Sequence, residues 1–250
     1  MELPRAILFD VDDTLAESFK PPTPEMLGRL VRLLALRPLA ILSAAGFPRI
    51  EQDFLGRIAT APHADRFYVL SNSTTECYAY REGHWTPLYK IAFTEEERAH
   101  IVRVMEGLAE ETGVEFNPAH KPRIISQDSK VAYAALGIDA SAEEKASWDP
   151  DISKRTTLHR ALAAHLPEFE IIIGGRTTID VLPKGMNKAY GVQWLSKELG
   201  IPPKEMLFIG DAFFDGGNDA VVIPTGIKTR AVSSPDETRA IIDDLFAKLA

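Results

Sequence analysis

Apolar residues recur along the chain in two rhythms, short continuous runs and a three-to-four-residue spacing. Their alternation is the mark of a parallel sheet built from strand-helix-strand units. Arg5 to Asp10, Pro38 to Ser43 and Phe67 to Ser71 read as buried strands. Between them, Thr23-Pro24-Glu25 opens a helix with Thr23 as N-cap and Pro24 at the first helical position; Met26, Leu27, Leu30, Leu33 and Leu34 give it one apolar face. Arg49 to Ile58 predicts a second helix.

From about Tyr78 the rhythm becomes strand-like alternation, broken at a hairpin turn, Arg81-Glu82-Gly83. A long helix, Thr94 to Glu111, follows, opened by the capping box Thr94 to Glu97 and stopped by Gly113. Strands are predicted over Arg123 to Gln127, Lys130 to Leu136, Glu170 to Gly174 and Thr177 to Leu182, with a helix from Ser153 to Leu166. After Pro183 the first rhythm returns, with a helix from Asn187 to Leu199, a strand from Met206 to Gly210 and short strands near Ala220 to Ile223 and Lys228 to Val232. The capping box Ser234-Pro235-Asp236-Glu237 opens a closing helix. The fold class is therefore α/β, a core domain over 1–84 and 186–250 interrupted by an α+β insert over 85–185.

Composition narrows the function without naming it. The 250 residues are 45% hydrophobic and 26% charged, ordinary for a globular protein. The net charge of -8 is spread along the chain, which argues against a nucleic-acid or anionic-membrane partner. A single cysteine, Cys77, excludes an internal disulfide and a cysteine-rich zinc site. The N-terminus lacks the pattern of a signal peptide, and no apolar run approaches the roughly 20 residues of a bilayer span, so a cytoplasmic location is expected.

Candidate chemistry sits at strand ends. Asp10, Asp12 and Asp13 follow the first strand, at the edge where open parallel sheets place ligands, and alternation directs Asp10 and Asp12 to one side. A divalent cation would offset their repulsion, and oxygen donors without histidine or cysteine favour Mg2+. A second acidic cluster, from Gly210-Asp211 to Asn218-Asp219, also follows an apolar strand.

The segment Asp10-Val11-Asp12-Asp13-Thr14 resembles the first motif of the haloacid dehalogenase superfamily, Ser43 its second, Lys188 its third, and Gly210-Asp211 with Asn218-Asp219 its fourth. The resemblance implies a Rossmann-like parallel-sheet core with an α+β cap. It also implies Mg2+-dependent phosphoryl transfer: Asp10 as nucleophile forming an aspartyl-phosphate, Asp12 as acid and base, Lys188 and Ser43 on the phosphoryl group, and Thr14 hydrogen-bonded within the loop. The metal set would be drawn from Asp10, Asp12, Asp211, Asn218 and Asp219. Asp13 stands where the superfamily usually has glycine.

The stretches Gly174 to Pro183 and Val232 to Arg239 are similar to eukaryotic-type phosphomannomutases. In that branch Thr178 and Asp180 would contact a sugar phosphate, and a homodimer through the cap is implied. The cap positions where those mutases carry phosphate-clamping arginines are Gln127, Ile138 and Lys145 here. Isoleucine cannot replace a bidentate guanidinium. On that ground hydrolysis of a phosphorylated sugar or similar small metabolite ranks first, a phosphomannomutase-like reaction second, and a non-catalytic phosphosugar-binding protein third. Arg123, Lys130 and Arg176 are alternative cap cations, and Trp85, Tyr89, Tyr133 and Trp148 are candidate sugar-lining aromatics.

Overall fold

The computed structural model describes residues 3–18, 20–114, 124–137, 140–174, 176–214 and 217–249. The chain forms two compact units, one of Met1–Lys90 with Asn187–Ala250, the other Ile91–Met186.

The chain begins with β1 (Ala6–Phe9), α1 (Pro24–Leu36) and β2 (Leu39–Leu42). A helical run follows: α2 (Phe47–Ile50), a π-helical stretch (Glu51–Leu55) and α3 (Gly56–Ala59). Then come β3 (Phe67–Ser71), β4 (Glu76–Arg81) and β5 (His84–Lys90). The second unit holds α4 (Glu95–Glu111), β6 (Ile124–Ser126), β7 (Val131–Ala134), α5 (Ala142–Trp148), α6 (Ser153–His165), β8 (Phe169–Gly174) and β9 (Thr178–Pro183). The first unit resumes with α7 (Lys188–Leu199), β10 (Met206–Gly210), β11 (Lys228–Ala231) and α8 (Pro235–Leu249).

The core sheet runs β11-β10-β1-β2-β3-β4-β5. Its first five strands are parallel; β4 and β5 are antiparallel additions. Alternation along β1 sends Ile7 and Phe9 into a cluster with Leu30, Leu33 and Ile242, and Ala6 and Leu8 into one with Val192 and Leu195. Helices thus cover both faces, which is why these strands read as continuous apolar runs. Phe9 lies opposite both Ile209 and Ile41, so β10, β1 and β2 end level with one another. That register sets the residues after each strand side by side.

Thr23 caps α1 by accepting from the Met26 amide, and Met26, Leu30, Leu33 and Leu34 are buried, as the pattern predicts. Three expectations need correction. The hairpin that turns at Glu82-Gly83, both with positive φ, pairs with β3 and belongs to the core sheet, so the second unit starts at Ile91 and not at 85. The run expected as a strand near Ala220 to Ile223 is a 3-10 helix, Ala220–Thr225: only Val222 is buried while Val221 and Ile223 are exposed, so the run has one inward position and no sheet-facing alternation. Helix α5 was not expected, although its Ser141 and Glu144 make a capping box.

In the second unit the four-stranded antiparallel sheet runs β6-β7-β9-β8. Val131, Tyr133, Ile179 and Val181 face α4 and α6 in a shared core with Ile101, Met105, Leu158 and Leu162. Among the described residues no helix is long and apolar enough to cross a membrane.

Candidate active site

Asp10 follows β1, its amide bonded to the Ile209 carbonyl at 2.9 Å, and its carboxylate is buried. Lys188, in the first turn of α7, donates from Nζ to Asp10 Oδ1 at 2.6 Å and to Asp219 Oδ1 at 2.5 Å. Asp219 is wholly buried, and its other oxygen accepts from the Ala212 amide at 2.9 Å. A Cβ at Gly210 would lie 2.3 Å from Asp219 Oδ2, so only glycine lets this carboxylate reach the end of β10.

Oxygens of Asp10, Asp211 and Asp219 gather within 4.8 Å of one another. Three carboxylates against one ammonium leave the cluster short of positive charge. Burial pushes Asp10 up to about 8, against the lowering effect of Lys188 and with the help of Asp219 and Asp211. Burial and Asp219 also raise Asp211. Lys188 is held well above the usual lysine range, the attraction of Asp10 and Asp219 outweighing the burial that opposes it. A hard divalent cation fits this excess of carboxylate oxygen. Asp10, Asp211 and Asp219 each offer a carboxylate oxygen that could hold it. Asn218 is half-buried beside Asp219, and Asp215 and Gly216 lie outside the described residues.

Asp12 does not join this group. Its carboxylate takes a two-pronged hydrogen bond from Arg49 (Nη2 to Oδ1 2.7 Å, Nη1 to Oδ2 3.2 Å). Alternation put Asp12 on the Asp10 side, but the chain turns at once after Val11, whose carbonyl accepts from the amides of Thr14, Leu15 and Ala16. Asp13 takes φ 59 in that turn and accepts from the Ser18 amide and hydroxyl, which explains why glycine suits the position. Thr14 is fully buried; its hydroxyl, expected to bond within the loop, has no hydrogen-bond partner among the described residues. Arg49, missed in the sequence, sits in α2 just beyond Ser43. Ser43 is buried after β2, its Oγ accepting from the Ala45 amide at 3.0 Å.

A sequence profile described as "Eukaryotic phosphomannomutase" covers residues 124–248, half of the chain. The chain belongs to this family. Phosphomannomutase from Spinacia oleracea is 26% identical over 248 residues, which is 96% of this chain and 94% of that one. The Saccharomyces cerevisiae phosphomannomutase is 31% identical over 126 residues, 48% of each chain. Among solved structures, a Plasmodium falciparum IMP-nucleotidase with bound IMP superposes with a TM-score of 0.72 at 18% identity, over 98% of this chain and 68% of that one. A haloacid dehalogenase-like hydrolase from Bacteroides thetaiotaomicron gives 0.64 at 15% identity, covering 98% and 99%. At these identities the two show the fold alone.

In this phosphomannomutase-family chain, Thr178 and Asp180 of the second unit stand together over Gly174, where a Cβ would lie 2.6 Å from Thr178 Oγ1 and 3.4 Å from Asp180. Lys130 Nζ is 3.6 Å from Asp180 Oδ2, which places this cation on the same face as Thr178 and Asp180. Gln127 is exposed and Lys145 half-buried in α5; Arg176 is exposed. Ile138 and Arg123 lie outside the described residues. The aromatic residues serve packing. Trp85 meets Phe67 edge-on and Tyr80 at a tilt, and Tyr89 meets Tyr190 and Trp194 edge-on, all in the first unit. Tyr133 is buried with its hydroxyl on the Val114 carbonyl, and Trp148 packs against the core of its unit. Cys77 is buried, and burial pushes its thiol up, out of the reactive range.

Proposed function

We propose that this chain transfers a phosphoryl group on a sugar phosphate through Asp10, as a mutase of the phosphomannomutase kind. The observation that carries the phosphoryl-transfer reading is the buried Asp10 carboxylate at the level ends of β1, β2 and β10, bonded to Lys188 and converging with Asp211 and Asp219. Asp10 attacks phosphorus in line, the bond from phosphorus to the sugar oxygen breaks, and that oxygen takes a proton from Asp12. In the second half Asp12 recovers the proton from an incoming sugar hydroxyl, which attacks the aspartyl-phosphate and frees Asp10. Asp12 must leave Arg49 for the reacting oxygen in each half. Lys188 and Ser43 hold the phosphoryl oxygens. Bound among Asp10, Asp211 and Asp219, Mg2+ would supply the positive charge that lets a carboxylate approach an anionic phosphoryl group.

Mutase chemistry takes precedence over the hydrolysis ranked first from sequence because the family and its full-length relatives are phosphomannomutases. Hydrolysis stays as the second reading on the sequence resemblance alone: Gln127, Ile138 and Lys145 align with the positions where those mutases would carry phosphate-clamping arginines. The site is expected to work in the cytoplasm on a small sugar phosphate. A coupled assay of mannose 1-phosphate with Mg2+ and a sugar bisphosphate activator decides between the readings. A mutase forms the 6-phosphate faster than free phosphate; the reverse ratio supports hydrolysis. Asp10→Asn must abolish both, and full activity in that variant overturns the nucleophile assignment.

A further inference from the structure

Beyond β3, Asn72, Ser73 and Thr74 have φ of 50, 56 and 69, three successive non-glycine residues in the left-handed region. For a β-branched threonine this is a rare conformation, and it is kept only where the surroundings over-determine it. Here they do. All three residues are buried, Thr74 completely. The Asn72 amide donates to the Ala45 carbonyl at 2.8 Å and the Ser73 amide to the Ser43 carbonyl at 2.9 Å. The Thr74 hydroxyl donates to the carbonyl of Asn187, the N-cap of α7, at 2.7 Å. A Cβ added at Gly191, one turn into the same helix, would lie 2.9 Å from Thr74 Cγ2, so α7 also rests on the threonine methyl. Glu76 anchors the turn from below, accepting from the Ser71 hydroxyl and the Asn72 side-chain amide, and Tyr89 holds the Thr74 carbonyl.

One strained turn therefore grips both the Ser43 loop and the end of α7 that carries Lys188. We propose that Thr74 is a positioning residue for phosphoryl transfer: through its hydroxyl on the Asn187 carbonyl it sets where Lys188 stands relative to Asp10 and Ser43. This rests on the role given above to Lys188 and Ser43. Displacing a charge-stabilising group by a fraction of a bond length lowers turnover far more than ground-state binding.

The test compares Thr74→Val, which keeps the shape and removes the hydroxyl, with Thr74→Ser, which keeps the hydroxyl. With mannose 1-phosphate, Mg2+ and a sugar bisphosphate, the valine variant should lose about 10- to 100-fold in kcat with KM within about threefold, and serine should stay within about threefold of the parent. Valine turnover equal to the parent, or a loss explained by unfolded protein alone, overturns the proposal while leaving the phosphoryl-transfer reading intact. Crystal structures of the parent and the valine variant decide the matter without activity. Lys188 Nζ should move off Asp10 in the variant, and an unchanged contact of 2.6 Å overturns the proposal even if no turnover is found.

Discussion

Removing Mg2+ should make the stability of this protein depend on pH in an unusual direction, and Asp10 sets the size of the effect. Burial and the neighbouring carboxylates carry Asp10 from its ordinary 3.8 to about 8 in the folded chain. Between those values the folded protein keeps a proton that the unfolded chain has released. The contribution of Asp10 to stability is therefore full below about pH 4 and is lost as pH rises toward 8, by up to ~1.4 kcal/mol per unit. Across the roughly four-unit window the ceiling is ~6 kcal/mol, and relaxation around the cluster should leave about 2–4 kcal/mol of it. Lys188, raised at the high end of the scale, stays charged throughout and adds no slope. The assay is urea unfolding at pH 5, 6.5 and 8 in excess EDTA, for the parent and for Asp10→Asn. The parent should weaken with rising pH, while the variant, which cannot ionise at this position, should show a much flatter profile and exceed the parent at pH 8. Mg2+ should flatten the parent's profile too, since its ligands must be deprotonated. Parallel profiles for parent and variant would refute the reasoning.

Lys188→Met should leave Asp10 and Asp219 buried without their cation, costing about 3–5 kcal/mol in denaturant unfolding and abolishing turnover. Asp12→Asn should cut kcat by about 10²- to 10⁴-fold as general acid and base catalysis is lost. Its stability should change by less than about 1 kcal/mol, because the Arg49 pair is partly exposed; a silent kinetic profile would remove Asp12 from the mechanism. Gly191→Ala should destabilise by about 1–3 kcal/mol, since its methyl would meet Thr74, Leu70 and Leu42 at 2.9 to 3.1 Å; a thermal midpoint at or above the parent's would contradict the packing.

Much of the core was legible because its signals are local. Thr23, Pro24 and the apolar stripe of α1 act within a few residues of one another, and the capping box at Thr94 does the same. At the closing helix Glu237 accepts from the amide and hydroxyl of Ser233, one residue before the serine expected. Local signals misled where burial is decided from outside the segment. The run Ala220 to Ile223 has the composition of a strand, but only Val222 has a core to enter. Tyr89 and Trp85 read as sugar-lining residues of the insert because nothing near them in sequence discloses that their hairpin pairs through β4 onto β3. Arg49 and Asp12 are 37 residues apart, and their ion pair follows from the turn at Val11 to Thr14, not from strand alternation.

By itself the sequence determined the α/β core, the interruption by an α+β unit and the set of strand-end residues from which the site is made, since periodicity and residue chemistry reside in short stretches of chain. Tertiary structure decided how those residues divide their work. Lys188 lies between Asp10 and Asp219 only because parallel pairing brings β1 and β10 level and α7 packs at Gly191. Asp12 stands apart with Arg49 for the same kind of reason: a side chain's partner is set by register and packing between distant segments, which no local pattern encodes.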